Sequence, residues 1–261
     1  PLLLLVLMSL IIWWQIGKHR LKNKKKRGLA AEDARYYRGP ALCIHTIILF
    51  FLLQELLYWL MPNYTIERSL IKLTIGFLAC YLAYRGYRKQ PTDLSRFVLI
   101  ALIICTIADI TINYSMIAAL VIYGVAEALL AYYFFKQDHP ERWQWILWLF
   151  SCALSAVIIL ISPGLRTAVA LSMTLYSFAL SGFLVLSLSM PKRIRNGAIL
   201  LVVSNLLVFI NETNAQTLLI HVLSLGLYYL AVCCMAFSTR FKGPALGKTA
   251  NESAAPAAVQ S

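Results

Sequence analysis

Long apolar runs alternate with short polar stretches along most of the chain. The first run reads PLLLLVLMSLIIWWQIG, Pro1 to Gly17. Eight more follow: Pro40 to Met61, Ser69 to Tyr84, Phe97 to Ile112, Met116 to Phe135, Trp143 to Ile161, Thr167 to Met190, Gly197 to Ile210 and Thr217 to Phe237. A segment within a bilayer must satisfy its own backbone polar groups, and unbroken Leu, Ile and Ala runs suit helices rather than the alternating strands of a barrel. The pattern predicts an all-α polytopic membrane protein: an eight-helix transmembrane bundle over residues 40–238 plus an extra N-terminal hydrophobic segment. The flanking units are residues 1–39, that segment with a basic cytoplasmic linker, and residues 239–261, a small, polar tail expected to be disordered and cytoplasmic.

Composition agrees with this reading and narrows it. Of 261 residues, 60% are hydrophobic and 13% charged, and the mean hydropathy is +0.71. A soluble domain carries about 25% charged residues, so that class is excluded. The net charge of +13 invites a nucleic-acid reading, but the Lys and Arg residues sit in short loops between apolar runs, which makes them an orientation signal. Basic stretches occur at Lys18 to Arg38, Arg85 to Arg96, Lys136 to Arg142 and Lys192 to Arg195, and in the tail at Arg240, Lys242 and Lys248. The turns near Asn63, Asn113, Pro163 and Asn211 hold few positive charges. Every second loop is basic, as nine spans with a cytoplasmic C-terminus require. Positive-inside topology serves a bacterial plasma membrane and the endoplasmic reticulum alike; the bacterial cell membrane is the expectation.

Several features are read plainly. The linker from Lys18 to Gly39 either attracts anionic lipid heads or only sets topology. Pro1 is preceded by neither Met nor a basic stretch, so the chain is expected to continue upstream. No small-residue cleavage site follows the first run, which favours a membrane anchor over the apolar region of a signal peptide. The cysteines Cys43, Cys80, Cys105, Cys152, Cys233 and Cys234 lie within apolar runs and read as small core residues without a disulfide framework. Acceptor triplets at Asn63, Asn113, Asn211 and Asn251 are assigned to chance. The sequence holds no Gly-rich phosphate loop, nucleophile elbow or zinc-type His pair, and no cofactor, metal or nucleic-acid partner is expected.

The chemistry-bearing candidates are polar residues inside apolar runs. In FVLIALIICTIADITINYSMIAALVIYGVAEALLAYYFF, Phe97 to Phe135, two runs joined by a polar turn at Asn113 to Ser115 each carry one acid, Asp109 and Glu127. A charge near the bilayer centre costs at least about 3 kcal/mol on insertion scales, so such acids face a bundle interior, paired or protonated, and mark a site by default. At a rise of about 1.5 Å per residue, Asp109 lies about 20 Å and Glu127 about 12 Å from the cytoplasmic side, close enough to share a cavity. Asn205 falls at a depth similar to Glu127, and Tyr176 and Tyr229 can add hydroxyls. Glu55, beside Gln54, is a third buried acid, which a hydrogen bond to a neighbouring helix would hold neutral. Lys72 lies a turn inside the outer end of its helix, where it can snorkel to the surface. His45 and His221 lack a second ligand at helical spacing and read as packing or hydrogen-bonding residues.

Four stretches together resemble one family. Ala108-Asp109 followed by GVAEALLAYYFF is similar to the paired helices of the YhhN family, the membrane lysoplasmalogenases, with their Gly-Asp and then Ala-His-Leu-Leu-Tyr. IKLTIGFL, Ile71 to Leu78, resembles the family's Lys-Pro-Leu-Thr helix. NGAILLVVSNLLVFIN, Asn196 to Asn211, resembles its Gly-Ala-Leu-Leu-Phe-x-x-Ser-Asp helix, and LYYLAV, Leu227 to Val232, its Tyr-Tyr-x-Ala-Gln helix. The resemblance covers residues 40 to 238 and implies eight helices and hydrolysis of the vinyl ether bond of lysoplasmalogens to a fatty aldehyde and a glycerophospho-base. It implies Asp109 as the first acid, Asn205 at the place of the second, Glu127 at the place of the His, Lys72 as the Lys, and Tyr176 and Tyr229 as the tyrosines. Asn205 for Asp, Glu127 for His, Val232 for Gln and Leu73 for Pro are departures.

The resulting expectation is an ether hydrolase with Asp109, Glu127 and Asn205 as catalytic residues and Lys72, Tyr176 and Tyr229 binding a lysophospholipid or ether-lipid substrate. Its alternative is a non-catalytic lipid-binding protein of the same fold. A proton-coupled transporter also uses intramembrane acids, but neither an internal repeat nor helices broken by paired Gly and Pro are present. Oligomeric state, head group and chain length are not encoded in any recognisable motif.

Overall fold

A computed structural model describes residues 31–60, 65–137, 139–161, 167–213 and 217–239. The apolar run from Pro1 to Gly17 and the tail beyond residue 239 lie outside the described residues. The helices are α1 Ala31–Leu60, α2 Thr65–Lys89, α3 Asp93–Thr111, α4 Met116–Gln137, α5 Arg142–Ile161, α6 Thr167–Ser187, α7 Lys192–Thr213 and α8 Leu218–Ser238, with no strand among the described residues. Seven are long and apolar enough to cross a membrane. The eighth, α2, carries Glu67, Arg68 and Lys72 near one end and Arg85, Arg88 and Lys89 at the other. The chain is the all-α polytopic bundle that its hydropathy pattern predicts.

Two boundaries differ instructively from that pattern. The helix expected from Pro40 begins at Ala31 and runs through Gly39 and Pro40, so the end of the expected linker is helical. Ala31, Glu32, Ala34 and Arg35 are good helix formers, and membrane helices tolerate Pro better than soluble ones do. At 30 residues, α1 is about 45 Å long against a hydrocarbon layer of about 30 Å, so its first turns stand outside the apolar zone. At α3, a capping box starts the helix at Asp93, earlier than the apolar run suggests. Ser95 N–H donates to Thr92 Oγ1 at 3.2 Å, and Thr92 N–H donates to Ser95 Oγ at 3.1 Å.

Helix packing forms a ring. α3 packs on α4, α4 on α6, α6 on α7, α7 on α8 and α8 back on α3. α2 braces this ring against α3 and α8, and α1 lies over α2 and α8. Among the described residues α5 packs mainly on α6, and its Trp145 ring meets Phe135 of α4 edge-on, 6.2 Å centroid to centroid. It presents Ile146, Leu149 and Phe150 outward, as suits contact with lipid chains. The Phe134 and Phe183 rings, 5.8 Å apart, join α4 to α6 in the core.

Lipid tails are as apolar as Leu, so close packing rather than a hydrophobic drive holds such helices together, and small residues permit it. Gly76 of α2 lies against the Thr106 side chain of α3, where a Cβ would overlap it. Thr106 cannot easily give way, because its hydroxyl donates to Leu102 O at 2.8 Å. Gly197 makes a looser close approach where α7 crosses α8, a Cβ there lying 3.1 Å from Met235 Cγ and 3.3 Å from Ala231 O.

Gly76→Ala should therefore destabilise the bundle by about 1–3 kcal/mol, the usual cost of overpacking. Adding Thr106→Ala should recover most of the loss, which denaturant titration of the two single variants and the double variant will show as a positive coupling. Additive losses would place the strain elsewhere.

Candidate functional site

The α3–α4 connection sets the geometry of the site. Tyr114 N–H and Ser115 N–H both donate to Thr111 O, at 2.9 and 2.8 Å, and Ser115 Oγ accepts from Ala118 N–H at 3.3 Å to start α4. This tight reversal sets α3 and α4 antiparallel. Side chains lean toward the N-terminus of their own helix, so Asp109 leans away from the turn and Tyr123 leans toward it, and the two meet.

Asp109 is buried and fully engaged. The Tyr123 hydroxyl donates to its Oδ1, and the Tyr228 hydroxyl, from α8, donates to its Oδ2 at 3.0 Å. Glu127 lies one turn beyond Tyr123 on the same stripe of α4, also buried. Its Oε1 accepts from the Tyr176 hydroxyl of α6 at 2.7 Å, while Oε2 is buried without a partner. Three tyrosine rings gather between the two acids: Tyr123 lies 6.1 Å from Tyr228 and 6.4 Å from Tyr176, centroid to centroid.

A cavity of about 240 Å³ opens against this cluster. Its polar wall is Asp109, Tyr123, Tyr176, Tyr228, Asn205 and Lys72 with Ser155, Ser177 and Ser204, and the rest is mostly aliphatic. Asn205 Nδ2 donates to Leu201 O of its own helix at 2.8 Å, and the amide also reaches the Tyr176 hydroxyl. Ser204, the residue before it, donates to Ser224 O at 2.7 Å and so pins α7 to α8 beside the cavity.

Lys72 is only 9% exposed, so it does not snorkel to the surface. Its ammonium donates to Asn113 Oδ1 at 2.9 Å, Asn113 Nδ2 donates to Ser69 Oγ at 2.8 Å, and Ser69 Oγ donates to Thr65 O at 2.8 Å. The relay carries a buried cation to the end of the bundle remote from Arg85, Arg88 and Lys89. Lys72 and Asp109 thus share one cavity.

Of the residues singled out from sequence, Asp109, Asn205, Lys72 and Tyr176 line the cavity. Glu127 stands behind Tyr176 and communicates through that hydroxyl. Tyr229 turns away from the cavity: its hydroxyl donates to Gln54 Oε1 of α1 at 3.1 Å. Among the described residues Glu55 finds no hydrogen bond from a neighbouring helix. His221 Nε2 lies 3.6 Å from Oε2, beyond hydrogen-bond range but within ion-pair distance for a protonated imidazole. His221 instead stacks on Tyr58, with ring centroids 4.4 Å apart. Tyr123, Tyr228 and Asn113 were not singled out. Tyr123 carries a sequence signal, its spacing of four from Glu127, whereas nothing local separates Tyr228 from Tyr229.

The arrangement can hold and move protons at an apolar cavity wall through carboxyl, phenol and amide groups. Among the described residues no group of three or more His, Cys, Asp or Glu side chains is placed to hold a metal ion. A family model described as the YhhN family matches residues 67–239, a span that includes every lining residue. No curated protein and no solved structure matches the chain.

Asn113→Leu removes the acceptor from a buried ammonium and should lower stability by about 1–3 kcal/mol. Combining it with Lys72→Met removes both partners and should return stability close to the starting value, as followed by thermal unfolding in detergent. A double variant no more stable than Asn113→Leu would show that Asn113 holds the turn rather than the lysine.

Proposed function

The chain belongs to the YhhN family, and from that membership we propose that it is an integral membrane hydrolase that cleaves the vinyl ether bond of lysoplasmalogen-like lysophospholipids. The single observation that carries this reading is the pairing of Asp109 with two tyrosine hydroxyls at the wall of an otherwise apolar cavity.

Cleavage requires a proton on the outer alkene carbon, which converts the ether into an oxocarbenium ion. Asp109, in its acid form, gives that proton and becomes a carboxylate facing the new cation. Tyr123 and Tyr228 fix the orientation of the carboxyl group and supply donors to the anion it becomes. Glu127 adds negative potential through Tyr176. Water held by Asn205 adds to the cationic carbon and returns a proton to Asp109. The hemiacetal then collapses, its hydroxyl proton passing to the glycerol oxygen, and leaves a fatty aldehyde and a glycerophospho-base. Lys72 attracts the phosphate of the head group. One water is consumed, and the acid ends as it began. Excluding bulk water strengthens each of these interactions.

A second reading, a lipid-binding protein without turnover, draws on Asn205. Its amide can neither give nor take a proton and already serves its own helix.

Purified protein should release aldehyde from a lysoplasmalogen, and Asp109→Asn should reduce the rate by about 10²- to 10⁴-fold, the range of a lost general acid, with helix content unchanged. Tyr228→Phe should slow release more than Tyr229→Phe. No release by the wild type, with lipid still bound, would replace hydrolysis by the binding reading. Undiminished release by Asp109→Asn would remove Asp109 from the role of acid.

A further inference from the structure

Among the described residues the ring around the cavity is incomplete on one side. α5 stands outside it, packed on α6 and touching α4 through Trp145 and Phe135 near its first turn, yet Ser155, Ile158 and Ile159 from its last turns line the cavity. The facing wall comes from α7, including Asn205 and Leu206, and α5 and α7 do not pack together. Two cavity-lining residues on these helices are also outwardly exposed: Ile158 at 39% and Leu206 at 54%. An aliphatic side chain that faces a cavity and the outside at once marks an opening. One such residue on each of two helices that do not pack on each other gives the opening two posts. Ile158 is close to the end of α5 at Ile161, and Leu206 lies in the second half of α7, on the same side of the membrane as the Lys72–Asn113 contact.

We propose that this cleft between α5 and α7 is a lateral entrance through which a single-chain amphiphile passes from the leaflet remote from the basic loops, its anionic head staying near Lys72. The proposal rests on the lipid-handling reading of the cavity but not on hydrolysis. Pockets that enclose a drug-sized molecule measure about 300–1,000 Å³, and this cavity, at about 240 Å³, is smaller. It holds the segment next to the head group, and the rest of the chain extends through the cleft among the bilayer lipids. A second acyl chain on the same glycerol would need a second passage, so the entrance selects lyso forms over diacyl forms. A water-soluble ligand would have no use for a cleft with aliphatic posts.

The test uses the full chain in lipid nanodiscs and a radiolabelled 1-O-alkyl lysophosphoethanolamine. This is a saturated ether, which cannot take up a proton at an alkene carbon, so binding is read without turnover. Ile158→Trp combined with Leu206→Trp narrows the cleft. Leu154→Trp combined with Ile199→Trp places the same bulk on exposed positions of the same helices that do not line the cavity. A gate slows entry and exit alike. The first pair should therefore reduce both association and dissociation by at least about tenfold with Kd little changed, and the second pair should leave both rates near wild type. The corresponding diacyl lipid should not compete for binding in the wild type.

Unchanged exchange in the first pair, a weakened Kd at unchanged association rate, equal slowing in both pairs, effective competition by the diacyl lipid, or no saturable uptake by the wild type would each overturn the lateral entrance. Gated uptake without aldehyde release from a vinyl ether would defeat the proposed hydrolysis and leave the entrance standing. Aldehyde release with ungated exchange would do the reverse.

Discussion

The hydroxyl groups that Tyr123 and Tyr228 direct at Asp109 tie three helices to one side chain. In lipid there is no water to satisfy a carboxyl group, and a hydrogen bond to a charged group contributes about 1.5–3 kcal/mol where its loss leaves that group bare. The contact sets the registers of α4 and α8 against α3, so the site and the bundle are not separate problems. The close approaches at Gly76 and Gly197 and the Ser204 hydroxyl on Ser224 O act at other points of the same framework. Each brings backbones near enough for short polar side chains to reach across.

Satisfaction is uneven among the buried acids, and the unevenness follows the cavity. Asp109, which lines it, has both oxygens engaged. Glu127, behind Tyr176, has one oxygen engaged and one bare. Glu55, between α1 and α8, has neither, with His221 nearby but beyond hydrogen-bond range. A buried polar atom without a partner costs about 1–3 kcal/mol, so Glu55 and Glu127 are held at the expense of stability while Asp109 contributes to it. Arg68 over the Tyr58 ring and His221 stacked on it form a layer whose imidazole comes within ion-pair distance of Glu55.

Much of the fold was legible because hydropathy and the alternation of basic loops report solvent environment directly. Eight described helices fall where apolar runs stand, and the two acids on neighbouring spans do come to one cavity region. Residue-level geometry was less legible for identifiable reasons. Tyr228 and Tyr229 are adjacent, about 100° apart around a helix, and only the packing of α8 against α1 and α3 decides which one meets Asp109. Lys72 reads as a snorkelling residue because its partner, Asn113, lies in another turn of the chain. The early start of α1 was hidden by Gly39 and Pro40, which normally signal a break.

The peripheral attachment of α5 has a meaning for how such a protein changes over generations. The acid, its tyrosines and the asparagine are supplied by α3, α4, α6, α7 and α8, whose contacts constrain one another. Among the described residues α5 answers mainly to α6, with one aromatic contact to α4, while still shaping the aliphatic side of the cavity. Drift along α5 can remodel the room given to a hydrocarbon chain while the hydrogen-bonded acids stay as they are. Diversification of chain length and preservation of chemistry are thereby assigned to different parts of the same small bundle.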